Sequence, residues 1–183
     1  ESARRTHVVV SLSGAHAYGF PSPDSDLDLK AIHVDSARTV LGLHPVSQSA
    51  DRMQVIDGVE IDYTSNELQP VLMGILAGNG NYLERVLGHL QPVKSAWLVA
   101  LQRHVQANLS KRLHRHYRGF ATSQLHEWEK SGFSSAKKLL YVLRTTLTGT
   151  HALRRGEIQT DLSLLLQPYG FEAAGELIAH KKS

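Results

Sequence analysis

Charged and apolar positions alternate along a short segment in the first part of the chain. The segment Asp26-Leu27-Asp28-Leu29 follows a strand-forming run, residues 7–12, and a turn of small residues. Alternation is the period of a β-strand, so Asp26 and Asp28 are predicted to share one face, opposite the leucines. Two ionised carboxylates on one face repel each other, and a bound cation with hard oxygen ligands, such as Mg²⁺, relieves that repulsion.

A second alternating region lies around Asp57-Gly58, a dipeptide typical of the type I′ turn of a β-hairpin. In the second strand of this hairpin, residues 59–64, Glu60 and Asp62 are predicted to share a face. Either carboxylate could therefore lie beside the aspartate pair, and the spacing does not choose between them.

The pattern becomes helical after residue 64. Ser65 or Asn66 is predicted to cap a helix, and Ala136 begins the longest one, which runs to about Arg155 before Gly156. A further helix is predicted over residues 119–129, after the basic cluster. With a boundary at 92–95, the pattern predicts an α/β core over 1–92, a short mixed sheet with helices on one side, and a helical domain over 93–183.

Charge is distributed unevenly between these two parts. Residues 1–85 have six Lys and Arg against eleven Asp and Glu, whereas residues 86–156 have twelve against two. A basic helical surface favours phosphate groups, which makes RNA the expected partner of the second half. The densest basic cluster consists of Lys111, Arg112, Arg115 and Arg118, and it is predicted to bind this partner.

Composition narrows the class of protein further. The 183 residues include no cysteine, which excludes disulfides and thiolate–zinc sites and fits a reducing cytoplasm. No apolar run approaches the ~20 residues of a membrane helix, so no membrane partner is expected. The sequence does not determine the oligomeric state.

A longer string around the aspartate pair resembles a known family. The pattern Gly-x-x-Ala-Tyr-Gly…Ser-Asp-x-Asp is similar to the RNA-repair and RNA-ligase-associated branch of the DNA polymerase β-like nucleotidyltransferase superfamily. It is formed by Gly14, Ala17, Tyr18, Gly19, Ser25, Asp26 and Asp28. The resemblance implies transfer of a nucleoside monophosphate from a nucleoside triphosphate to an acceptor hydroxyl, with two Mg²⁺ ions (Mn²⁺ possible) as cofactors.

The resemblance also implies roles for particular residues. Asp26 and Asp28 would bind both ions, and a third carboxylate on a later strand would complete the site, with Asp62 chosen and Glu60 second. The turn residues Ser13, Gly14 and Ala15, together with Ser25, would hold the triphosphate. Three basic residues of the second half would offset phosphate charge, and they are Lys137, Lys138 and Arg144. The string Gly-Asn-Gly-Asn-Tyr-Leu-Glu at 78–84 also resembles this branch, without a chemical role.

One residue departs from the family pattern. The turn usually has a serine after its glycine, and this chain has Ala15. Two alternatives therefore stand beside the RNA-directed enzyme. The chain could be a non-catalytic module that binds RNA, a nucleotide or a partner protein, or it could be a nucleotidyltransferase acting on a protein or small molecule.

Overall fold

The sheet of the protein is mixed. The computed structural model describes residues 5–43 and 49–182, and within them the strands are β1 (Thr6–Leu12), β2 (Leu27–Val34), β3 (Ser49–Ile56), β4 (Val59–Glu67) and β5 (Val93–Lys94). Their order across the sheet is β3-β4-β2-β1-β5. The pair β2–β4 is parallel and the other neighbouring pairs are antiparallel. This arrangement confirms the predicted α/β fold class.

Helices account for most of the second half. In the described ranges they are α1 (Gly14–Ala17), α2 (Ala37–Val40), α3 (Leu68–Leu76), α4 (Gly80–Leu87), α5 (Ala96–Ala107), α6 (Leu113–Lys130), α7 (Ala136–Arg155), α8 (Ser163–Leu166) and α9 (Ala174–Lys182), with a 3₁₀ turn at Gln167–Tyr169. None of the helices described is both long enough and apolar enough to cross a membrane.

Local signals in the sequence correctly located two elements. Asp57 and Gly58 form the turn between β3 and β4 and have positive φ angles of 50° and 81°, as a type I′ turn requires. Helix α7 spans Ala136–Arg155, and Gly156 ends it in the left-handed conformation with φ 70°. Both signals depend only on neighbouring residues, which explains their accuracy.

Two other local predictions were wrong. The N-cap of α3 is Glu67, whose carboxylate accepts a hydrogen bond from the Gln69 N–H at 2.6 Å, and not Ser65 or Asn66. Ser65 belongs instead to β4, where it is fully buried and lies 2.6 Å from His33 Nδ1. The parallel pairing with β2 therefore extends the strand to Glu67.

Helix α6 also begins earlier than predicted. It starts at Leu113 and not at Gly119, so Arg115 and Arg118 of the basic cluster are helical, while Lys111 and Arg112 precede the helix. Leu113 and Tyr117 are buried, and their spacing of four residues anchors one face of the first turns against the core. Between these anchors, His114 and Arg115 are exposed.

One hydrophobic cluster connects the sheet to helices from both halves of the chain. Ile32 of β2 packs in it with Val86 of α4, Leu98 of α5 and Ala152 of α7. The predicted boundary at residue 92 falls immediately before β5, which pairs with β1. Residues on the two sides of this boundary therefore pack into one core. This core lies on the face of the sheet that carries Asp28 and Lys30.

Candidate active site

The parallel pairing of β2 with β4 brings two carboxylates together. Asp28 lies directly opposite Asp62 in the register, with Leu27 opposite Ile61. Residues opposite each other in a pair of strands project to the same face of the sheet. Asp26 precedes β2 by one residue and lines a small cavity of about 90 Å³ together with Asp28. Three of the sequence-predicted residues are thus located at one end of these strands.

Glu60 occupies a different position. The β2–β4 pairing begins at Leu27 and Ile61, so Glu60 lies beyond its end, and it is paired on the other side with Val55 of β3. Its side chain is exposed in the outer part of the hairpin. The register therefore favours Asp62 over Glu60 as the partner of Asp28, while a metal-binding role for Asp62 stays a prediction.

A glycine turn lies against the Asp28 carboxylate. The Ser13 N–H donates to the Asp28 carbonyl oxygen at 2.8 Å, which joins the turn to β2. Gly14 follows with a φ of 61°, and a Cβ atom at this position would collide with the Asp28 carboxylate. Only glycine combines this backbone conformation with so close an approach.

The next residue, Ala15, is largely buried, and its methyl group supplies no hydroxyl where the family usually has serine. Ser13 does have a hydroxyl, and its Oγ lies 3.2 Å from the Tyr18 hydroxyl. The side chain of Ser13 is thus directed at Tyr18 in this structure. Any phosphate contact from the turn would depend chiefly on backbone N–H groups.

Lys30 lies between the two strand carboxylates. Its ammonium group donates to Asp62 Oδ2 at 2.9 Å and to Thr64 Oγ1 at 3.3 Å, and it lies 3.8 Å from Asp28 Oδ1. Lys30 is two residues after Asp28 in β2, so strand alternation places it on the carboxylate face. The structure shows that it forms an ion pair there.

The Asp28 carboxyl group is electrostatically perturbed. Burial raises its pKa above the ordinary value, and the nearby Asp62 and Asp26 carboxylates raise it further. The Lys30 ammonium opposes this shift without cancelling it. Concentrated negative charge of this kind is the electrostatic setting in which a divalent cation binds favourably.

The residues present have the donor chemistry for such a cation. Mg²⁺ and Mn²⁺ prefer carboxylate oxygens, which Asp26, Asp28 and Asp62 provide. Over the described ranges, 5–43 and 49–182, no three His, Cys, Asp or Glu side chains already form a metal-binding group. The Lys30 ammonium is bonded to Asp62 Oδ2, so an ion held by all three aspartates would compete with this lysine for the Asp62 carboxylate.

Ser25 stabilises the loop before β2. Its Oγ accepts a hydrogen bond from the Ser22 N–H at 2.8 Å and lies 2.9 Å from the Ser22 Oγ. Ser25 also lines the cavity beside Asp26 and Asp28, so it remains a candidate for nucleotide contact. Lys181 of α9 holds the same loop by donating to the Phe20 carbonyl oxygen at 2.8 Å.

The three basic residues predicted on α7 have different positions. Lys137 is exposed and lines the cavity that contains Asp26 and Asp28. Lys138 donates instead to the Glu127 carbonyl oxygen of α6 at 2.9 Å. Lys137 is therefore the α7 cation that the structure brings to the carboxylates.

The structure places Arg144, which was predicted to bind phosphate, in the core. Its side chain is 1% exposed, and its Nη1 donates to Glu84 Oε1 at 2.7 Å. Its guanidinium also lies 3.7 Å from the centroid of the Tyr18 ring. Arg144 is therefore a core residue, because long-range packing places it between Glu84 of α4 and the Tyr18 ring.

Glu84 is the partner that sequence reasoning missed. It accepts hydrogen bonds from Arg144 and, at 3.0 Å, from the Tyr117 hydroxyl. Burial, followed by the nearby Glu84 carboxylate, raises the pKa of Tyr117 well above its ordinary value, so the hydroxyl remains a donor. The only available signal was the Gly-Asn-Gly-Asn-Tyr-Leu-Glu string, which ends at Glu84.

The proposed acceptor-binding cluster is exposed at the start of α6. Lys111, Arg112, Arg115 and Arg118 all have exposed side chains. Arg112 also donates to the Leu76 carbonyl oxygen at 3.2 Å, which connects this surface to the end of α3. The cluster is available to an anionic partner, and its role in binding stays a prediction.

The comparison with known families agrees with this arrangement. A model of the RNA repair pathway DNA polymerase beta family matches residues 3–182, and the chain belongs to that family. The assignment supports the general class of polymerase β-like nucleotidyltransferases and confirms the resemblance identified from the sequence.

Two individual proteins are also similar to this chain. An uncharacterized protein of Methanocaldococcus jannaschii is 29% identical over 157 residues, which cover 85% of this chain and 64% of that protein. This chain thus spans about two thirds of its relative. A nucleotidyltransferase-like protein from Exiguobacterium sibiricum matches with a TM-score of 0.43 and 10% identity, covering 98% of this chain and 66% of the other.

Proposed function

We propose that the protein is a metal-dependent nucleotidyltransferase that transfers a nucleoside monophosphate from a nucleoside triphosphate to a hydroxyl group of RNA. The observation that supports this most directly is the register that places Asp28 opposite Asp62, beside Gly14. This register brings the glycine turn and the carboxylate cluster to one location, and the family assignment supports the same class of enzyme.

The reaction would proceed by displacement at the α-phosphorus. The acceptor oxygen forms a new P–O bond, the bond from the α-phosphorus to the bridging oxygen breaks, and pyrophosphate leaves with that electron pair. The proton of the acceptor hydroxyl passes to solvent or to a carboxylate of the cluster. When bound, Mg²⁺ would activate the attacking oxygen and stabilise the leaving group.

Each part of the cluster has a distinct role in this proposal. Asp26, Asp28 and Asp62 would hold the ions, and the backbone N–H groups around Gly14 would contact the triphosphate. Lys137 would balance charge on the phosphates from the opposite wall, since it lines the cavity with Asp26 and Asp28. The displaced Lys30 would remain close enough to contact a phosphate oxygen.

The direct experiment measures pyrophosphate release from each nucleoside triphosphate with Mg²⁺ and an RNA oligonucleotide. Asp28→Asn and Asp62→Asn should each lower the rate by orders of magnitude, because each removes a proposed ion ligand. Glu60→Gln, on the same strand, is the matched control and should retain wild-type activity. An active Asp62→Asn variant with an inactive Glu60→Gln variant would exchange the two roles.

The proposed acceptor rests on the exposed basic cluster of α6. If its four side chains each neutralise one phosphate of single-stranded RNA, they contribute about −3 to the slope of log affinity against log salt. Replacement of all four with alanine should remove that contribution to the slope and lower the affinity for all RNA sequences alike. An unchanged slope would instead favour a protein or small-molecule acceptor.

A non-catalytic binding module is the second candidate. Two observations favour it: Ala15 replaces the usual serine, and Lys30 already forms an ion pair with Asp62. This candidate predicts nucleotide or RNA binding without release of pyrophosphate. The same assay, combined with a binding measurement, distinguishes the two.

A further inference from the structure

A polar cavity adjoins the carboxylate strand on the side of α4. Its volume is about 150 Å³, and it is lined by Ser13 and Tyr18, which flank α1, by Lys30, and by residues of α4. Lys30 belongs both to this lining and to the carboxylate cluster, where it lies 2.9 Å from Asp62. A ligand in the cavity would therefore lie next to the proposed reaction centre.

Helix α4 presents three polar side chains to this cavity. Asn81, Glu84 and Arg85 all line it, and their spacing of three and four residues places them on one face of the helix. Two of them, Asn81 and Glu84, belong to the Gly-Asn-Gly-Asn-Tyr-Leu-Glu string, for which sequence analysis found no chemical role.

Several polar atoms on this face have no partner among the described residues. Glu84 uses Oε1 for both of its hydrogen bonds, which leaves Oε2. Arg85 uses Nη1 for the Ala31 carbonyl oxygen and Asn66 Oδ1, which leaves its other guanidinium nitrogens. None of these atoms is among the fully enclosed unpartnered atoms, so they reach the cavity or solvent.

The lining therefore offers a carboxylate that accepts hydrogen bonds, guanidinium groups that donate them, and an amide that can donate and accept. Leu12, Ala17 and Leu90 add apolar surface between these groups. A cavity of about 150 Å³ accommodates a benzene ring. A flat heterocycle with hydrogen-bonding edges matches this combination of size and chemistry, whereas a simple anion would leave the apolar surface and the Glu84 carboxylate without a suitable partner.

We propose that this cavity binds the base of a nucleoside in the substrate, with Asn81 and Arg85 contacting its polar edges. The proposal rests on the proposed function, because that function supplies the two sources of a nucleoside. One source is the nucleoside triphosphate, and the other is the terminal nucleotide of the RNA acceptor. The roles of Glu84 and Tyr18 as cavity walls follow from the same packing that buries Arg144.

The test uses the variant Asn81→Leu in the full chain. Asn81 is exposed at the mouth of the cavity, and its side chain forms no hydrogen bond with any described residue, so the fold should be retained. Leucine removes the amide and narrows the entrance. Asn108→Leu, at an exposed helix end outside the cavity lining, is the control for loss of an exposed amide, and it also removes the hydrogen bond that Asn108 Nδ2 donates to the His104 carbonyl oxygen at 2.8 Å.

Titration calorimetry with Mg²⁺ should compare four nucleoside triphosphates, inorganic tripolyphosphate and an RNA oligonucleotide. We expect Asn81→Leu to weaken the binding of either the triphosphates or the RNA by about tenfold. This factor corresponds to the loss of one or two good hydrogen bonds. Tripolyphosphate, which lacks the nucleoside, should bind equally to both variants and to wild type. The ligand that weakens identifies the source of the nucleoside.

A second variant protects the experiment against an indirect effect. Arg85→Lys retains the charge but loses the guanidinium edge, so it should weaken the same ligand as Asn81→Leu. Unchanged binding of all three ligand types by both variants would overturn the cavity proposal, as would equal weakening of tripolyphosphate. Absence of pyrophosphate release with Asn81-dependent binding would instead overturn the enzymatic function and leave the cavity assignment in place.

Discussion

Two cation–carboxylate pairs lie on the same side of the sheet and differ in exposure. The side chains of Lys30 and Asp62 are 21% and 40% exposed, whereas those of Arg144 and Glu84 are 1% and 10% exposed. The first pair joins neighbouring strands, and the second joins α4 to α7 across 60 positions of sequence. Solvent access leaves the first pair open to exchange with another cation, while burial makes the second part of the core.

The surroundings of each pair support this distinction. Arg144 also packs on the Tyr18 ring, and Glu84 also accepts a hydrogen bond from the Tyr117 hydroxyl, so each buried charge has a second partner. Lys30 has Asp28, Asp62 and Thr64 around it and no aromatic contact among the described residues. Removing a partner from a buried pair leaves an uncompensated charge, whereas water can replace the partner in an exposed one.

The largest effect is expected for Arg144→Met. It leaves the buried Glu84 carboxylate without its cation, which should lower the free energy of unfolding by about 3–5 kcal/mol. Urea denaturation measures this change. The double variant Arg144→Met/Glu84→Leu is the control and should recover part of the loss, since it removes both charges. A single variant within about 1 kcal/mol of wild type would contradict a structural role for this pair.

A smaller effect on stability is expected for Lys30→Met. The partly exposed pair should contribute no more than about 1 kcal/mol to the free energy of unfolding. Because the variant removes a cation that competes for Asp62, it should also bind Mn²⁺ more tightly, which spectroscopic titration measures. Lys30→Arg retains the competing charge and should bind Mn²⁺ as wild type does. Weaker binding by Lys30→Met would show that the lysine supports the ion.

The smallest change in stability is expected for Asp28→Asn. This variant should be more stable than wild type, whereas Arg144→Met should be less stable. Burial raises the pKa of Asp28 in the folded state, so the folded protein holds this proton more readily than the unfolded chain. Stability from this group is therefore greatest at low pH and declines as the pH rises from about 3.9, the ordinary value, through the raised value. Asp28→Asn lacks this decline and should be more stable than wild type at pH 7.

Thermal unfolding across pH 3 to 8 measures this difference. The two proteins should converge at the acidic end and separate as the Asp28 carboxyl group ionises. A variant that is less stable than wild type at neutral pH would show that the ion pair with Lys30 outweighs the cost of burying the carboxylate. In that case the exposed and buried pairs would differ in degree only.

Several features of the fold and site were determined by the sequence itself. The alternation around Asp28, the Asp57-Gly58 turn and the bounds of α7 were all predicted correctly. Each depends on the conformations of residues adjacent in the chain, through strand period, turn geometry or helix termination. Family resemblance added the choice of Asp62, which the strand period alone could not separate from Glu60.

Only the tertiary structure decided which charged residues face solvent and which are buried. Lys137 and Arg144 belong to the same predicted helix, yet Lys137 lies beside the carboxylates and Arg144 lies in the core. The difference arises because their surroundings come from α1, α4 and the loop before β2. The cavity beside α4 likewise requires β1, β2 and α4 to meet, which no local period encodes. Burial and ion pairing depend on contacts between distant segments, whereas turns and helix ends depend on neighbouring residues.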